Sequence, residues 1–429
     1  KHQITISHPA YAKEVREFHL ELGEREEFNL ELGAYESTAT KQTKRQAALD
    51  KIPFYGVLPA ESPLYHEINQ SLAENAWAGG VLFGFKDGRD VNQVSFGTHT
   101  YSREKNTHSD DIFDLSSLTK VISTTSAVMR LYEDGKLNLD SYVKDLLPNY
   151  MNSNSNNYKS QITVNHLLTH TSGLPPFKRF YLMEGQTKDA LWDSVIACNP
   201  NIMPGQEYRY SDIGSMLVGK IVEQVSGVPL DAFVREEVFD PLGMRDTDYL
   251  PQDKFDIDRI VPTEYDEEGI LMHGIVLDEN CSALGGVSGH NGLFSTAKDL
   301  SKFCQMMLNG GSIDSVQVFR PETIKLFTRR ANIVNGSSRC LGWDSPASAN
   351  SGGVYLSSDS YGHTGFTGTS LWIDPENQMY VILLTNAVHP DRSYKYPNYF
   401  DWRQKIHASL YESVGFSQQN ADLTWRDRW

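Results

Sequence analysis

Strand-like segments lie towards the two ends of this chain, and helix and loop patterns fill most of the space between them. Gly79 to Phe85 and Val91 to Phe96 read as strands around the turn Lys86-Asp87-Gly88. Strand character returns only around Gly365 to Ile373 and Met379 to Thr385, joined by the turn Asp374-Pro375-Glu376-Asn377. That arrangement predicts one sheet built from both ends of the chain, with a mainly helical region, roughly residues 120–300, inserted. The expected class is α/β in the α+β sense, an antiparallel sheet flanked by helices. Leu64 to Asn75 supplies a helix before the first strand.

The first sixty residues differ from the rest. Glu17-Phe18-His19-Leu20-Glu21-Leu22-Gly23 is nearly repeated as Glu27-Phe28-Asn29-Leu30-Glu31-Leu32-Gly33, with apolar residues alternating. Residues 1–60 are therefore expected to form an extension with a β-hairpin, a candidate arm for a homo-oligomer or a partner surface. Residues 61–415 make the main domain, and 416–429 a polar tail expected to leave the core. With a net charge of -16 and no Lys/Arg block, nucleic acid and anionic membranes are poor partners. A small-molecule or peptide substrate fits better. No apolar run approaches the roughly 18 residues of a membrane span. The four cysteines, Cys198, Cys281, Cys304 and Cys340, form no Cys-x-x-Cys pair, which leaves disulfides open. His273, Asp278 and His290 match no metal-ligand spacing, so neither metal nor cofactor is expected. A start at Lys1 without methionine fits a mature exported protein and a trimmed chain alike.

Chemistry enters at Ser117-Leu118-Thr119-Lys120. Ser-x-x-Lys also occurs at Ser102, Ser141 and Ser295, so context has to choose. Phe113 and Leu115 alternate before Ser117, and Val121, Thr125, Val128 and Tyr132 follow at helical spacing until Asp134-Gly135. Ser117 then falls in a first helical turn, where free N–H groups and the positive end of the dipole stabilise an oxyanion. Lys120 lies one turn on, on the same face. On its own such a tetrad is ordinarily a helix cap plus a solvated lysine. Tyr210-Ser211-Asp212 precedes a second helix, with Ile213, Leu217, Ile221 and Val225 spaced by four and Gly227 as its stop. A tyrosine held against Lys120 is a candidate phenolate base. Tyr361-Gly362-His363-Thr364-Gly365-Phe366-Thr367-Gly368 supplies a glycine-rich strand to whose edge a substrate can add, with the Phe366 N–H as a second oxyanion donor.

Taken together and in this order, the three segments resemble the class C β-lactamase and penicillin-binding-protein superfamily, over roughly residues 62–415. Thr163 to Pro175, Gly285 to Thr296 and Leu341-Gly342-Trp343 are also similar to that family, and Tyr361 to Thr369 looks closest to its penicillin-binding protein 4B-like branch. The resemblance implies a serine β-lactamase-like fold and an exported serine hydrolase, periplasmic or extracellular. Its expected reaction is DD-carboxypeptidase or D-amino-acid peptide hydrolysis, with peptidoglycan as a candidate substrate. A carboxylesterase and a non-catalytic penicillin- or peptidoglycan-binding protein are the alternatives. It makes Ser117 the nucleophile, Lys120 the neighbouring proton acceptor and Tyr210 the general base and leaving-group acid. Asp212, His363, Thr364, Gly365 and Phe366 become substrate-binding residues. Asp212 stands where asparagine is common and could hold Lys120 protonated, and His363 replaces the more frequent lysine, binding a substrate carboxylate when protonated. A Ser-His-Asp α/β-hydrolase would need Gly-x-Ser-x-Gly, which this chain lacks.

Overall fold

Both expected strand pairs do join one sheet. The computed structural model describes residues 54–56 and 62–425, apart from 184, 186, 348 and 397. Its main sheet contains β1 (Phe54–Gly56), β2 (Gly79–Lys86), β3 (Arg89–Gly97), β4 (Tyr361–Thr364), β5 (Ser370–Asp374) and β6 (Met379–Thr385). Their order is β1-β3-β2-β6-β5-β4, antiparallel throughout. Asp87 and Gly88, both at positive φ, make the tight β2–β3 turn. The β6–β2 register, Met379 opposite Lys86 through Thr385 opposite Gly80, is the seam that joins the two ends of the chain.

Three expectations change. The single strand read over Gly365 to Ile373 is instead part of a hairpin, β4 and β5 with a loop over 365–369. β1 lies in the stretch assigned to the extension, while the hairpin expected near residues 17–33 lies outside the described residues. The polar tail is mostly exposed, as expected, but it stays attached to the domain as far as residue 425. Asn420 N–H donates to Val354 O and its side chain to Leu356 O, and Thr424–Trp425 pairs in parallel with Ala349–Asn350.

Helices cover both faces of the sheet because its strands are apolar on both sides. Helix α1 (Pro63–Ala73) is capped by the Ser62 hydroxyl. Helix α2 (Ser126–Glu133) follows the Ser117 segment, and α3 (Asp212–Ser226) ends at Gly227, whose φ of 74 closes it. Helices α4 (Ala297–Leu308) and α5 (Asn398–Ser413) complete the layers. Val81, Phe83 and Phe85 of β2 share a core with Leu300 and Phe303 of α4. On the opposite face, Gly84 lies under Leu410 of α5, which packs on α1. All four cysteines are buried and free, so no disulfide helps to hold this architecture.

Two short contacts fix the Ser117 segment against the sheet. Phe113–Asp114 pairs with Leu293–Ser295, which pairs in turn with Asp248–Tyr249. From the sheet side, the Thr367 hydroxyl donates to Asp114 O at 2.7 Å and the Thr369 hydroxyl to Leu115 O at 3.0 Å. Gly365 permits this approach, since a Cβ there would stand 2.4 Å from Leu115 O. Gly365→Ala is therefore expected to lower the unfolding free energy by about 1–3 kcal/mol, as for other overpacked sites. Denaturant titration measures it, and an unchanged midpoint would contradict the close approach.

Candidate active site

The backbone at the nucleophile segment is built from three kinds of helical turn. Ser116–Leu118 is a tight 3-10 turn, Lys120–Thr125 is a widened π-type turn, and only from Ser126 does the regular helix run. Hydroxyls support the widened turn: Thr125 donates to Lys120 O at 2.7 Å and Ser126 to Val121 O at 3.3 Å. Ser116 sits at a φ of 48, in the left-handed region where side chains other than glycine are uncommon. Its N–H is held by Asp114 Oδ1 at 2.8 Å. Ser117 is partly exposed, whereas Lys120 is buried.

Three acceptors from three segments surround the Lys120 ammonium. Nζ donates to Ser117 Oγ at 2.9 Å and to His290 O at 3.0 Å, and it pairs with Asp212 Oδ1 at 2.8 Å. Burial alone would lower the Lys120 pKa, but Asp212 and Tyr210 outweigh it and raise the value above that of free lysine. The His290 carbonyl is fixed from behind, because its ring bonds Ser288 Oγ at 2.8 Å and Asp278 Oδ1 at 2.9 Å. Burial would raise the Asp278 pKa, yet His290 brings it down to about 2. His273 is engaged elsewhere, on Ile260 O.

Tyr210 reaches this group on the loop before α3. The Ser211 hydroxyl caps α3 by accepting from Gly214 N–H, and it donates to Pro175 O at 2.7 Å. Asp212 N–H donates to Pro176 O at 2.9 Å. His170 takes the Ser211 N–H on Nδ1 and packs its ring 4.3 Å from that of Tyr210. Lys120 Nζ lies 5.1 Å from the centroid of the Tyr210 ring. Burial raises the Tyr210 pKa, and although Lys120 pulls it down, Asp212 opposes that pull and the net shift is upward.

The third segment is adjacent, and His363 lies in it. It is buried, its ring lies 6.0 Å from that of Tyr210, and Nδ1 faces Thr364 O at 2.8 Å. Since a carbonyl only accepts, Nδ1 carries the proton and Nε2 is a bare acceptor. Burial first, then Arg339 and Lys120, hold its pKa well below the ordinary histidine value. A neutral His363 cannot pair electrostatically with a carboxylate. Thr364 ends β4 and is half-buried, Gly365 N–H donates to Thr369 O at 2.6 Å, and the Phe366 ring is exposed. The Phe366 N–H donates to Ser116 Oγ at 3.0 Å.

Ser116, Arg339 and Lys395 escaped the sequence reading. Arg339 is buried with its guanidinium 5.2 Å from the Tyr208 ring and 5.3 Å from the Tyr210 ring, bonding Tyr208 Oη at 2.9 Å and facing Asp344 at 3.6 Å. Its neighbour motif Leu341-Gly342-Trp343 was the only signal near it. Lys395 is buried too, with Nζ on Phe366 O and 3.8 Å from the centroid of the Phe366 ring.

Comparison with known proteins bears on what this geometry serves. Residues 66–404 match the family described as Beta-lactamase. A protein of Escherichia coli K12 named "Putative D-alanyl-D-alanine carboxypeptidase" is 34% identical over 317 residues, covering 68% of this chain and 73% of its own. A Bacillus subtilis protein named N-acetylmuramyl-L-alanine amidase is 33% identical over 380 residues, covering 78% and 85%. In fold, the chain is similar to the octameric penicillin-binding protein homologue from Pyrococcus abyssi, with a TM-score of 0.63 at 22% identity, covering 82% of this chain and 77% of that one. With the Ser-x-x-Lys turn, the Tyr210 loop and the glycine-rich strand gathered at one place on such a fold, the chain belongs to the Beta-lactamase family of serine hydrolases.

Proposed function

We propose that the protein hydrolyses D-amino-acid peptides, as a DD-carboxypeptidase or a related peptidase, through an acyl-enzyme on Ser117. The observation that carries this reading is the 2.9 Å approach of Lys120 Nζ to Ser117 Oγ, within the reach a proton acceptor needs. The names of the two relatives, a D-alanyl-D-alanine carboxypeptidase and an N-acetylmuramyl-L-alanine amidase, both denote cleavage of amide bonds. They support a peptidoglycan-derived substrate, and with it an exported protein.

The proton inventory sets the order of events. At rest Lys120 is an ammonium and Tyr210 an unionised phenol, so neither can accept a proton. Reaction begins from the minor form in which Lys120 has lost one. Neutral Lys120 takes the Ser117 proton as Oγ attacks the carbonyl carbon, and the oxyanion turns to the N–H groups of Ser117 and Phe366. The Tyr210 phenol protonates the departing nitrogen, and the Lys120 ammonium restores the Tyr210 proton. Water then repeats the sequence on the acyl-enzyme and releases the acid. Asp212, by stabilising the ammonium, limits how much enzyme is ready at neutral pH.

Neutral His363 favours a second reading, ester hydrolysis at the same serine, since the third segment offers no charge that demands a carboxylate on the substrate. Intact-mass analysis after exposure to penicillin and to a p-nitrophenyl ester separates these outcomes. The wild type should gain a covalent acyl mass that Ser117→Ala lacks. Neither adduct nor turnover from the wild type would leave a non-catalytic binding protein.

Two further outcomes test the proton inventory. Asp212→Asn removes the anion that does most to raise the Lys120 pKa against burial, so the pKa falls. The rising limb of kcat/KM against pH should therefore move to lower pH, and an unmoved limb would exclude Lys120 as the acceptor. Tyr210→Phe should lower kcat by about 10²–10⁴-fold, the usual contribution of a positioned acid or base. Full activity in single-turnover assays would remove Tyr210 from the reaction.

A further inference from the structure

The Phe366 N–H that the acyl-enzyme reading assigns to the oxyanion hole is already occupied. Its acceptor is the hydroxyl of Ser116, 3.0 Å away and one residue before the nucleophile. We infer that Ser116 is a gate on the oxyanion site, its hydroxyl standing in for the substrate carbonyl oxygen in the free enzyme and turning aside when an acyl donor binds. This inference rests on the serine hydrolase reading above and adds a residue to it.

Everything else around the contact is pinned. On the strand side, Gly365 N–H is held by Thr369 O, the Thr367 and Thr369 hydroxyls grip Asp114 O and Leu115 O, and Lys395 Nζ holds Phe366 O. Lys395 is buried against the Phe366, Tyr399 and Phe400 rings, so it cannot readily swing away. On the other side, Ser116 N–H is fixed by Asp114 Oδ1, and Thr119 N–H points at the Ser116 and Ser117 carbonyls. The Phe366 N–H therefore cannot tilt towards a ligand without breaking the sheet contacts. Rotation about the single Cα–Cβ bond of Ser116 frees it at the loss of one hydrogen bond.

The backbone at Ser116 sets up this contact. A φ of 48 is costly for a residue with a Cβ, and such conformations persist where the surroundings over-determine them. Here the Asp114 carboxylate and the 3-10 turn do so, and the resulting direction of the side chain puts Oγ against the N–H of Phe366. A carbonyl oxygen arriving above Ser117 must compete with that hydroxyl before it can use the donor. The hydroxyl is a neutral acceptor, so an oxyanion displaces it more readily than a ground-state carbonyl does, and the gate discriminates towards the transition state.

Ser116→Ala removes the competing acceptor and keeps the rest of the turn, and Ser116→Gly does the same with a residue suited to positive φ. Both should raise kcat/KM for a p-nitrophenyl ester about two- to tenfold, the scale of one net neutral hydrogen bond. Amide hydrogen exchange of Phe366 in the substrate-free protein reads the contact directly, and it should accelerate in both variants. Unchanged exchange means that the hydroxyl does not cover the N–H and overturns the inference. Faster exchange with kcat/KM unchanged or lowered also overturns it, the lowered value making Ser116 a helper of the oxyanion. If the wild type and both variants form no acyl adduct, the hydrolase reading fails and this inference with it.

Discussion

A buried lysine ammonium has three N–H groups and tolerates burial only where acceptors meet them. Lys120 meets that demand with the Ser117 hydroxyl, the His290 carbonyl and the Asp212 carboxylate, each within 3.0 Å and each from a different stretch of chain. The inserted region is thereby tied to the nucleophile turn at two points, the start of α3 and the loop before Leu293. Taking away one partner of such a buried pair typically costs about 3–5 kcal/mol. The arrangement that prepares Ser117 for chemistry thus also holds the segments of the site together.

The same contact sets the resting protonation state. Asp212 raises the Lys120 pKa, burial raises that of Tyr210, and burial, helped by the neighbouring cations Arg339 and Lys120, lowers that of His363. Lys120 is paired with Asp212, Arg339 faces Asp344 and Tyr208, and Lys395 is spent on Phe366 O, so these charges are used internally and the site offers a substrate neutral hydrogen-bonding groups more than charge. It is organised for transferring a proton between Ser117, Lys120 and Tyr210 more than for gripping an anionic tail through the glycine-rich strand.

Much of the framework was legible because its signals are local. Helix α3 follows the four-residue spacing of Ile213, Leu217, Ile221 and Val225 and stops at Gly227, and Met379–Thr385, a short continuous apolar run, forms the strand expected there. The loop over 365–369 was misread as strand because its threonines and glycines serve distant carbonyls, Asp114 O and Leu115 O, which no window along the sequence contains. Arg339 and Lys395 were invisible for a similar reason. Charged residues are ordinarily solvated, and only tertiary packing places these two against Tyr208, Tyr210 and Phe366. The tail is mostly exposed, as its polar composition suggests, and its attachment was not legible, because Asn420 binds carbonyls of the distant 354–356 segment.

The protonation state of Lys120 in the resting protein is the quantity on which the whole account turns. Nitrogen-15 NMR of the lysine side chains, with Lys120 assigned by a Lys120→Arg variant, reads it without substrate. The account predicts an ammonium signal at Lys120 that persists to higher pH than those of the exposed lysines. A Lys120 that titrates below them, as burial without the Asp212 pair would make it do, contradicts the account.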